Sequence, residues 1–403
     1  MLKQILTKEW DKVSYQTLGL NQEHAKKFQK FLEEKQLTHA LDFGLEGITT
    51  CAHVGIIRFA DFQLNILPKI IGEEDSLCLE NLMFMLRYTR KLEIHSMDSA
   101  EISQTKQPFL EVLIAHYANI LLNALQRHIP HQYETREDNL PTVKGRILFA
   151  KNHLVNAANL ARTYCQFDEF TPDNLLNQTL KFVSHALQKL TSVSQTRQKL
   201  LKINAVYEDV TLRPVAYAET QKIILNRNHT MFKEPLELAQ MFLQNSTISL
   251  HNHTFTNLAI LFDMNKLFEE FVATALEQAF PGQVKIQNKL KIIEDIDEIP
   301  GTSYTIRPDI LFGKDTIIDT KYKRLSLPED KPSEADIYQM LAYNRFYNRK
   351  NIVLCYPMTD EYYPRTTILE KKSISLMLLT LNIHQLLTKN NLNHIIYELM
   401  KRL

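Results

Sequence analysis

Glycine and proline are sparse in this chain, and low-complexity linkers are lacking. Only 9 glycines and 14 prolines occur among the 403 residues. No internal repeat is visible either. Domain boundaries therefore have to be inferred from changes in pattern, and the length predicts two or three domains, each large enough to bury a core.

Long apolar runs are lacking as well. No stretch of about 18 uncharged apolar residues exists, so we expect no membrane span. The first residues, MLKQILTKEWDKVS, contain no apolar segment typical of a signal peptide. The four cysteines are far apart and form no CxxC pair, which argues against a zinc site and favours reduced thiols in a cytoplasmic protein; they are Cys51, Cys78, Cys165 and Cys355.

A surplus of positive charge is also missing. The chain has 47 Lys and Arg residues against 46 Asp and Glu residues, a net charge of +1. Any nucleic-acid site must therefore be a local patch, or a partner must supply affinity. No GxxxxGK[ST] phosphate loop occurs, so we expect no nucleotide hydrolysis by this chain alone.

The last third of the chain has the clearest order of elements. The pattern predicts a helix over 263–280 with Asp263 as its N-cap, strands over 284–293, 303–312 and 316–324, a helix over 333–348 and a strand over 351–357. A tight turn at Gly313-Lys314-Asp315 predicts that the second and third strands form a hairpin. A helix between two strands favours a mixed sheet flanked by helices.

The rest of the chain mixes strands and helices less regularly. We predict two strands around a turn in 54–70, helices over 74–92, 108–128 and 234–244, and a short strand after Gly145. Asp173 and Asn174 precede a strong helix over 175–190, with Asp173 in the usual capping region. The fold class is therefore α+β or α/β and multidomain, with an N-terminal mixed strand and helix region (1–250) and a C-terminal domain (251–403).

The hairpin in the C-terminal domain concentrates charge in apolar surroundings. Alternation places Asp319, Lys321 and Lys323 on one face of the third strand, and Asp309 is expected opposite them on the second strand. Two carboxylates forced together repel unless a cation joins them, and Mg²⁺ bound by Asp309 and Asp319 resolves that conflict. Lys321 would orient a water or stabilise developing charge. The alternative, solvated Asp–Lys pairs, is weakened by Pro308, which indicates a bend just before Asp309.

These residues resemble the signature of the PD-(D/E)XK nuclease superfamily: Pro308-Asp309, followed by Asp319-Thr320-Lys321. The resemblance implies a core of helix, three strands, helix and strand, metal binding by Asp309 and Asp319, and assistance to the nucleophile by Lys321. Many members add a glutamate on the first helix, which matches Glu269 or Glu270; Glu269 is preferred, and a solvated helix charge is the open alternative. Gln339 and Tyr343 resemble a QxxxY motif that supports the site and contacts DNA, the alternative being a core tyrosine beside a capping glutamine.

A narrower resemblance covers most of the chain and is to the McrC family. It rests on IRPDILF, IIDTKYK and DIYQMLAY near the hairpin, and on LNILPKI (64–70), VKGRILF (143–149), FDEFTPDNLLNQTLK (167–181) and FDMNKLFEEFV (262–272). This family implies the Mg²⁺-dependent endonuclease subunit of a restriction system that cleaves DNA with methylated cytosine. Its partner is an McrB-like AAA+ GTPase ring, which uses the GTP. The resemblance implies that the N-terminal region docks on the ring and stimulates its GTPase.

Two other functions remain open on the sequence alone: a PD-(D/E)XK nuclease of DNA repair or recombination, and a non-catalytic adaptor that activates a motor ATPase or GTPase. The near-neutral charge predicts weak DNA binding by the isolated chain. Lys144 and Arg146 could act on the ring, but a solvated hairpin is favoured. His251-Asn252-His253 is interpreted as a polar loop, and His128 and His131 as surface histidines.

Overall fold

The computed structural model describes residues 2–69, 75–89, 108–159, 161–249, 252–286, 290–293, 304–323, 332–357, 365–369 and 374–381. The protein is a mixed α/β protein with several sheets. Up to residue 69 the elements are β1 (Lys3–Lys8), β2 (Lys12–Ser14), α1 (Tyr15–Leu18), α2 (Gln22–Glu34), a 3-10 turn (Thr38–Ala40), β3 (Leu41–Phe43), β4 (Gly47–Thr50), β5 (His53–Phe59) and β6 (Phe62–Leu67).

The middle of the chain is mainly helical. Its elements are α3 (Asp75–Tyr88), α4 (Phe109–Leu125), β7 (Gln132–Leu140), β8 (Arg146–Ile147), α5 (Phe149–Val155), β9 (Thr163–Thr171), α6 (Leu175–Leu190), α7 (Ser194–Val206), α8 (Tyr217–Thr220), a 3-10 turn (Arg227–Phe232), α9 (Lys233–Gln244) and β10 (Ser246–Ser249). The final part contains β11 (Thr254–Asp263), α10 (Met264–Ala279), β12 (Val284–Ile286), β13 (Leu290–Ile293), β14 (Tyr304–Ile306), β15 (Ile310–Phe312), β16 (Thr316–Thr320), α11 (Glu334–Tyr347), β17 (Asn351–Pro357), β18 (Arg365–Leu369) and β19 (Ile374–Leu381).

The chain divides into two compact units. The first unit combines Met1–Phe109 with Ala259–Leu403, and the second is Leu110–Leu258. This differs from the single boundary expected near residue 250, because the N-terminal region of 1–250 is divided between the two units. The end of β11 lies beside β5 in one sheet, and pairing between strands so far apart in the sequence leaves no mark in local periodicity.

The N-terminal sheet of the first unit is covered on both faces. As predicted for 54–70, β5 and β6 form an antiparallel pair, and β1 runs parallel to β6. Both hairpin strands are buried at almost every position. Gly55 has a φ of +136°, and a Cβ there would lie 2.1 Å from the carbonyl oxygen of Ile260, so this close approach to β11 requires glycine.

Helix α2 covers that sheet with one apolar face. The side chain of Asn21 caps it by accepting a hydrogen bond from the backbone nitrogen of His24 at 2.8 Å. Phe28 and Leu32 are fully buried among the core residues. Burial of each such side chain stabilises the fold by about 1.5–3 kcal/mol.

The C-terminal sheet of the same unit has the strand order β12-β15-β16-β17-β19-β18. Its first three strands are antiparallel, whereas β17 runs parallel to β16 after the α11 connection. Helix α10 precedes this sheet, and α11 and β17 follow β16, as predicted; between the two helices, however, the chain forms five strands rather than three. The apolar side chains that join α11 to the sheet are Leu311, Ile317, Met340, Tyr343, Ile352, Leu354 and Tyr356.

Two predicted strands of this region are interrupted. The predicted strand 303–312 is divided into β14 and β15, because Pro308 stops the ladder and leaves Arg307–Asp309 outside any strand. The two pieces lie in different sheets, since β14 pairs with β13. The predicted strand 284–293 is likewise divided into β12 and β13.

The described residues of the second unit form mainly helices, together with a three-stranded sheet and the antiparallel pairing of β10 with the start of β11. Helix α6 occupies the predicted 175–190, but its cap is Asn174, which accepts from the backbone nitrogen of Asn177 at 3.1 Å. Asp173 instead accepts from the hydroxyl of Thr211 at 2.5 Å. The sheet order is β7-β9-β8; β8 is the strand predicted after Gly145, whereas β7 was not predicted.

In the described part of the chain, no helix has both the length and the apolar character needed to cross a bilayer. None of the four cysteines forms a disulfide. Of the segment His251-Asn252-His253, which the sequence predicts to be a polar loop, His251 lies outside the described residues.

Candidate functional site

The hairpin of β15 and β16 brings Asp309 to the end of β16. Pro308 directs the chain away from the β14 pairing, so Asp309 enters immediately before β15. One carboxylate oxygen of Asp309 (Oδ2) accepts two hydrogen bonds of 2.7 Å from Thr320, one from its backbone nitrogen and one from its hydroxyl. Both bonds fix the orientation of the carboxylate of Asp309, which is partly exposed.

Asp319 is the most deeply buried acid of this group. It lies within β16, where every residue is buried, and it is 1% exposed. Burial, and next the nearby charge of Asp309, raise the pKa of Asp319 from 3.8 to about 6, although Lys321 acts in the opposite direction. The ammonium nitrogen of Lys321 lies 2.6 Å from Oδ2 of Asp319.

Lys321 is held from a second side by helix α11. Its Nζ donates to Oε1 of Gln339 at 3.0 Å, and Nε2 of Gln339 donates to the hydroxyl of Tyr343 at 2.7 Å. That hydroxyl donates to the backbone oxygen of Arg307 at 3.1 Å. The chain of bonds therefore returns to the segment that carries Asp309.

The hydroxyl of Tyr343 keeps its proton at neutral pH. Burial, followed by the charge of Asp319, raises the pKa of Tyr343 to about 12. The Gln339–Tyr343 pair is thus a fixed support for Lys321, and its capacity to donate does not change over the physiological range.

A further ion pair stands beside this group and was not singled out in the sequence. Nζ of Lys323 lies 3.0 and 3.2 Å from the two oxygens of Asp336. Burial alone would raise the pKa of Asp336, but hydrogen bonds from Lys323 and Ser333 hold it below its ordinary value. The Ser-x-x-Asp spacing at the start of α11 is a capping signal that could have drawn attention to Asp336.

The structure therefore brings together five of the six candidates. Asp309, Asp319 and Lys321 lie at one end of the hairpin, and Gln339 and Tyr343 support them. The strand predicted over 316–324 ends at Thr320, so strand alternation does not extend to Lys321 and Lys323; the ring of Tyr322 packs 6.1 Å from the ring of Phe268.

Glu269, the sixth candidate, lies half-buried on α10. In the described ranges, no three His, Cys, Asp or Glu side chains are arranged to hold a metal ion. Glu269 accordingly forms no three-acid cluster with Asp309 and Asp319.

Comparison with known proteins identifies the family of the chain. The family model described as McrBC 5-methylcytosine restriction system component matches residues 48–357, a range that includes all six candidate residues. The chain belongs to the McrBC family. It is a component of this restriction system by family membership.

Solved structures share the fold of this McrBC family member. A half-complex from a tetradecameric assembly of Thermococcus gammatolerans McrB AAA+ hexamers with bound McrC has a chain that matches with a TM-score of 0.75 and 19% identity, over 94% of each chain. The Thermococcus gammatolerans McrBC complex, solved by cryo-EM, matches with a TM-score of 0.56 and 20% identity, over 69% of this chain and 88% of that chain.

A curated relative of different size is similar over a shorter stretch. A probable DNA helicase II homolog of Mycoplasma capricolum subsp. capricolum is 28% identical over 122 residues, which are 30% of this chain and 17% of the relative. The chain thus spans less than a fifth of the length of that protein.

The other basic pair considered in the sequence lies in the second unit. Nζ of Lys144 is 4.0 Å from the ring centroid of Phe167 and 3.7 Å from Glu169, on a sheet whose charged residues are largely exposed. The rings of His128 and His229 are stacked, and His131 is stacked on Phe170. His128 and His131 therefore pack against neighbouring rings.

Proposed function

We propose that this chain is the McrC-type subunit of its restriction system and hydrolyses DNA phosphodiester bonds with a divalent cation. The observation that supports the proposal most directly is the group of Asp309, Asp319 and Lys321. Two acids and one ammonium meet at the end of a buried strand, and each is held by a hydrogen bond or an ion pair of 3.0 Å or less. The topology around them supports a PD-(D/E)XK core.

The acid pair fits Mg²⁺. Burial raises the pKa of the Asp319 carboxyl, and the negative charge of Asp309 beside it raises that pKa further. A hard cation favours oxygen ligands of this kind and completes its shell with water and substrate phosphate. Asp309 and Asp319 would hold Mg²⁺, and the chemistry it would supply is Lewis-acid polarisation of the phosphate and a lower pKa for a bound water.

Lys321, held beside Asp319, would stabilise negative charge during phosphodiester hydrolysis. Its ammonium donates to Gln339 as well, so it is oriented before substrate arrives. A cation held in place stabilises the negative charge that develops on phosphate oxygens without a cost of reorganisation. Gln339 and Tyr343 would keep the ammonium in that place.

The proposed partner is an McrB-type AAA+ GTPase ring, and GTP would be consumed by the ring. One of the solved structures reported above is of McrB AAA+ hexamers with bound McrC, and the other is of an McrBC complex. The present chain has no GxxxxGK[ST] sequence of its own. Its net charge of +1 favours weak DNA binding when it is alone.

Cleavage assays test this proposal directly. The purified chain is incubated with Mg²⁺ and with DNA that carries or lacks methylated cytosine, each with and without an McrB-type partner and GTP. We expect cutting only when partner, GTP and methylated DNA are all present, together with increased GTP hydrolysis. No cutting in any combination would contradict a nuclease role and leave the adaptor function.

The similarity to a DNA helicase homolog favours one second candidate, a nuclease that acts with a DNA motor in repair or recombination. That candidate keeps the same catalytic residues. It predicts robust cutting of unmodified DNA without the GTPase, which the first proposal excludes.

A further inference from the structure

Glu9 is a fully buried acid at the end of the first strand of the chain. It is 0% exposed, and its Oε1 accepts hydrogen bonds from the hydroxyl of Tyr322 at 2.6 Å and from the backbone nitrogen of Lys69 at 2.8 Å. Its own backbone nitrogen donates to the oxygen of Leu67 at 3.0 Å. Glu9 is therefore fixed to the ends of both β1 and β6.

Tyr322, the partner of Glu9, stands between the two lysines of the candidate site. It is 6% exposed, and its ring packs near Phe268. Residues 321–323 follow the end of β16 and belong to no strand. Their backbone is held by Lys321, whose nitrogen donates to the oxygen of Cys355 at 2.8 Å.

We propose that Glu9 and Tyr322 are positioning residues that hold Lys321 against Asp319. The backbone nitrogen of Lys323 donates to the oxygen of Lys321 at 2.8 Å and closes a tight turn centred on Tyr322, so a fixed Tyr322 fixes the backbone from which the side chain of Lys321 extends. A lysine side chain is long and loses much rotamer freedom when it is held in one place, which makes a rigid backbone beneath it valuable. The buried hydroxyl of Tyr322 provides that rigidity through its bond to Glu9.

The consequence is that the N-terminal sheet is part of the support of the candidate site. Glu9 and Tyr322 are 313 residues apart in the sequence, and both lie in the unit that joins the two ends of the chain. Glu9 also lies before the range matched by the family model, which begins at residue 48. Its role in catalysis rests on the proposed function, whereas its hold on Lys321 does not.

The test compares four variants of the full chain: Tyr322→Phe, Glu9→Ala, Glu9→Gln and Tyr15→Phe. The first two remove the bond. Glu9→Gln keeps an oxygen that can accept it, and Tyr15→Phe removes a hydroxyl whose bond to the oxygen of Gly44 lies in an exposed loop. The acylation rate of each lysine is measured by competitive labelling and mass spectrometry, with the exposed Lys27 as internal reference and a thermal melt as a check of folding.

Loss of a buried hydrogen bond corresponds to roughly a fivefold effect or more, so we expect Lys321 to label at least about fivefold faster in Tyr322→Phe and Glu9→Ala. Glu9→Gln and Tyr15→Phe should label as the wild type does. A folded Tyr322→Phe protein with unchanged Lys321 labelling would overturn the proposal, and Glu9→Ala provides the same test if Tyr322→Phe does not fold.

A kinetic measurement separates this inference from the proposed function. In the complex with partner and GTP, Tyr322→Phe should lower kcat for cleavage by roughly fivefold with KM for DNA unchanged. Faster labelling in a protein whose wild type never cuts DNA would uphold the positioning role and reject the nuclease. Cutting by the wild type with labelling and kcat unchanged in Tyr322→Phe would uphold the nuclease and reject the positioning role.

Discussion

Two ion pairs of nearly equal length show how differently this chain uses charge. In the first unit, Lys321 and Asp319 are 2.6 Å apart, and Asp319 is 1% exposed. In the second unit, Arg136 and Glu169 are 2.7 Å apart, with side chains 45% and 36% exposed. Water screens the second pair, whereas burial makes the first pair electrostatically strong and perturbs the acid.

The two charged strands differ in how far their side chains are buried. Strand β7 (QYETREDNL) is exposed over almost its whole length, and its ion pairs are those of a solvated hairpin. Strand β16 (TIIDT) is buried at every position. A charged group is kept in such surroundings only with specific partners, and Asp319 has Lys321 as that partner.

The largest expected effect follows from removing one charge of the buried group. Asp309→Asn keeps an oxygen that can accept from Thr320 but loses the negative charge that would hold the cation. We expect cleavage by the complex to fall by roughly 10³-fold or more. The measurement is the initial rate of cutting of methylated DNA with partner, GTP and Mg²⁺.

The matched control for that variant is Asp315→Asn. Asp315 lies in the exposed turn of the same hairpin, so its substitution should leave the rate within about twofold, as for surface changes in general. Equal losses in both variants would show that the hairpin fold, rather than the Asp309 charge, was damaged.

The next largest effect should be on the pH dependence of the free energy of unfolding, through the buried acid Asp319. The pKa of Asp319 is raised in the folded protein, so the folded state takes up a proton between about 3.8 and about 6. The stabilisation from this proton is fully present below the unfolded pKa and is lost as pH rises through about 6. The difference in pKa corresponds to roughly 3 kcal/mol.

Asp319→Asn removes this titration. Urea unfolding at pH 5 and pH 8, compared between wild type and variant, measures the effect. The stability gap between the two pH values should shrink in Asp319→Asn. A gap of unchanged size would mean that Asp319 does not titrate in this range.

The rate of DNA cleavage should also depend on the ionisation of Asp319, but it should rise with pH where the stability falls. Only ionised Asp319 is available as a cation ligand, so the cutting rate of the wild type should fall about tenfold per pH unit below about 6. A pH–rate profile at saturating Mg²⁺ and at low Mg²⁺ checks this, since a bound cation favours the ionised form. A rate that is flat from pH 5 to pH 8 at low Mg²⁺ would contradict the assignment.

A smaller effect is expected from the support of Lys321. Tyr343→Phe removes the hydroxyl that receives a hydrogen bond from Gln339 and donates to Arg307, while the ring still fills the core. We expect a loss of about 1 kcal/mol in stability and a five- to tenfold lower kcat. Urea unfolding and single-turnover cleavage measure the two quantities, and an unchanged kcat would remove Tyr343 from the site.

The smallest effect should come from the exposed pair. Arg136→Gln breaks the contact with Glu169 in solvent, where side-chain entropy and screening offset the attraction. The midpoint of urea unfolding should not change measurably. A clear decrease would show that the exposed sheet depends on its charges and would weaken the contrast with β16.

The sequence predicted the parts of the fold that depend on neighbours along the chain. Helices α6 and α11 begin and end close to their predicted residues because capping side chains and helical spacing mark them. The bend at Pro308 and the hairpin turn at Gly313 were also predicted, because proline and glycine mark such positions locally in the sequence. Strand β7 was missed because nine mostly polar, exposed residues carry no alternation of apolar and polar positions.

Contacts between distant residues could not be predicted in this way. The neighbouring positions of β5 and β11, and the bond between Glu9 and Tyr322, depend on how sheets assemble. Neither leaves a periodic signal in one sequence. The same holds for Asp336 as partner of Lys323, since the spacing predicted a helix cap but gave no information about the lysine that meets it.

The most direct test of the central claim is the Asp319→Asn protein in complex with an McrB-type GTPase, assayed for GTP hydrolysis and for cutting of methylated DNA in the same reaction. The account predicts that GTP hydrolysis is stimulated as strongly as by the wild type while DNA cleavage is lost. Cleavage at the wild-type rate in this variant would contradict the assignment of the buried acid pair as the catalytic centre.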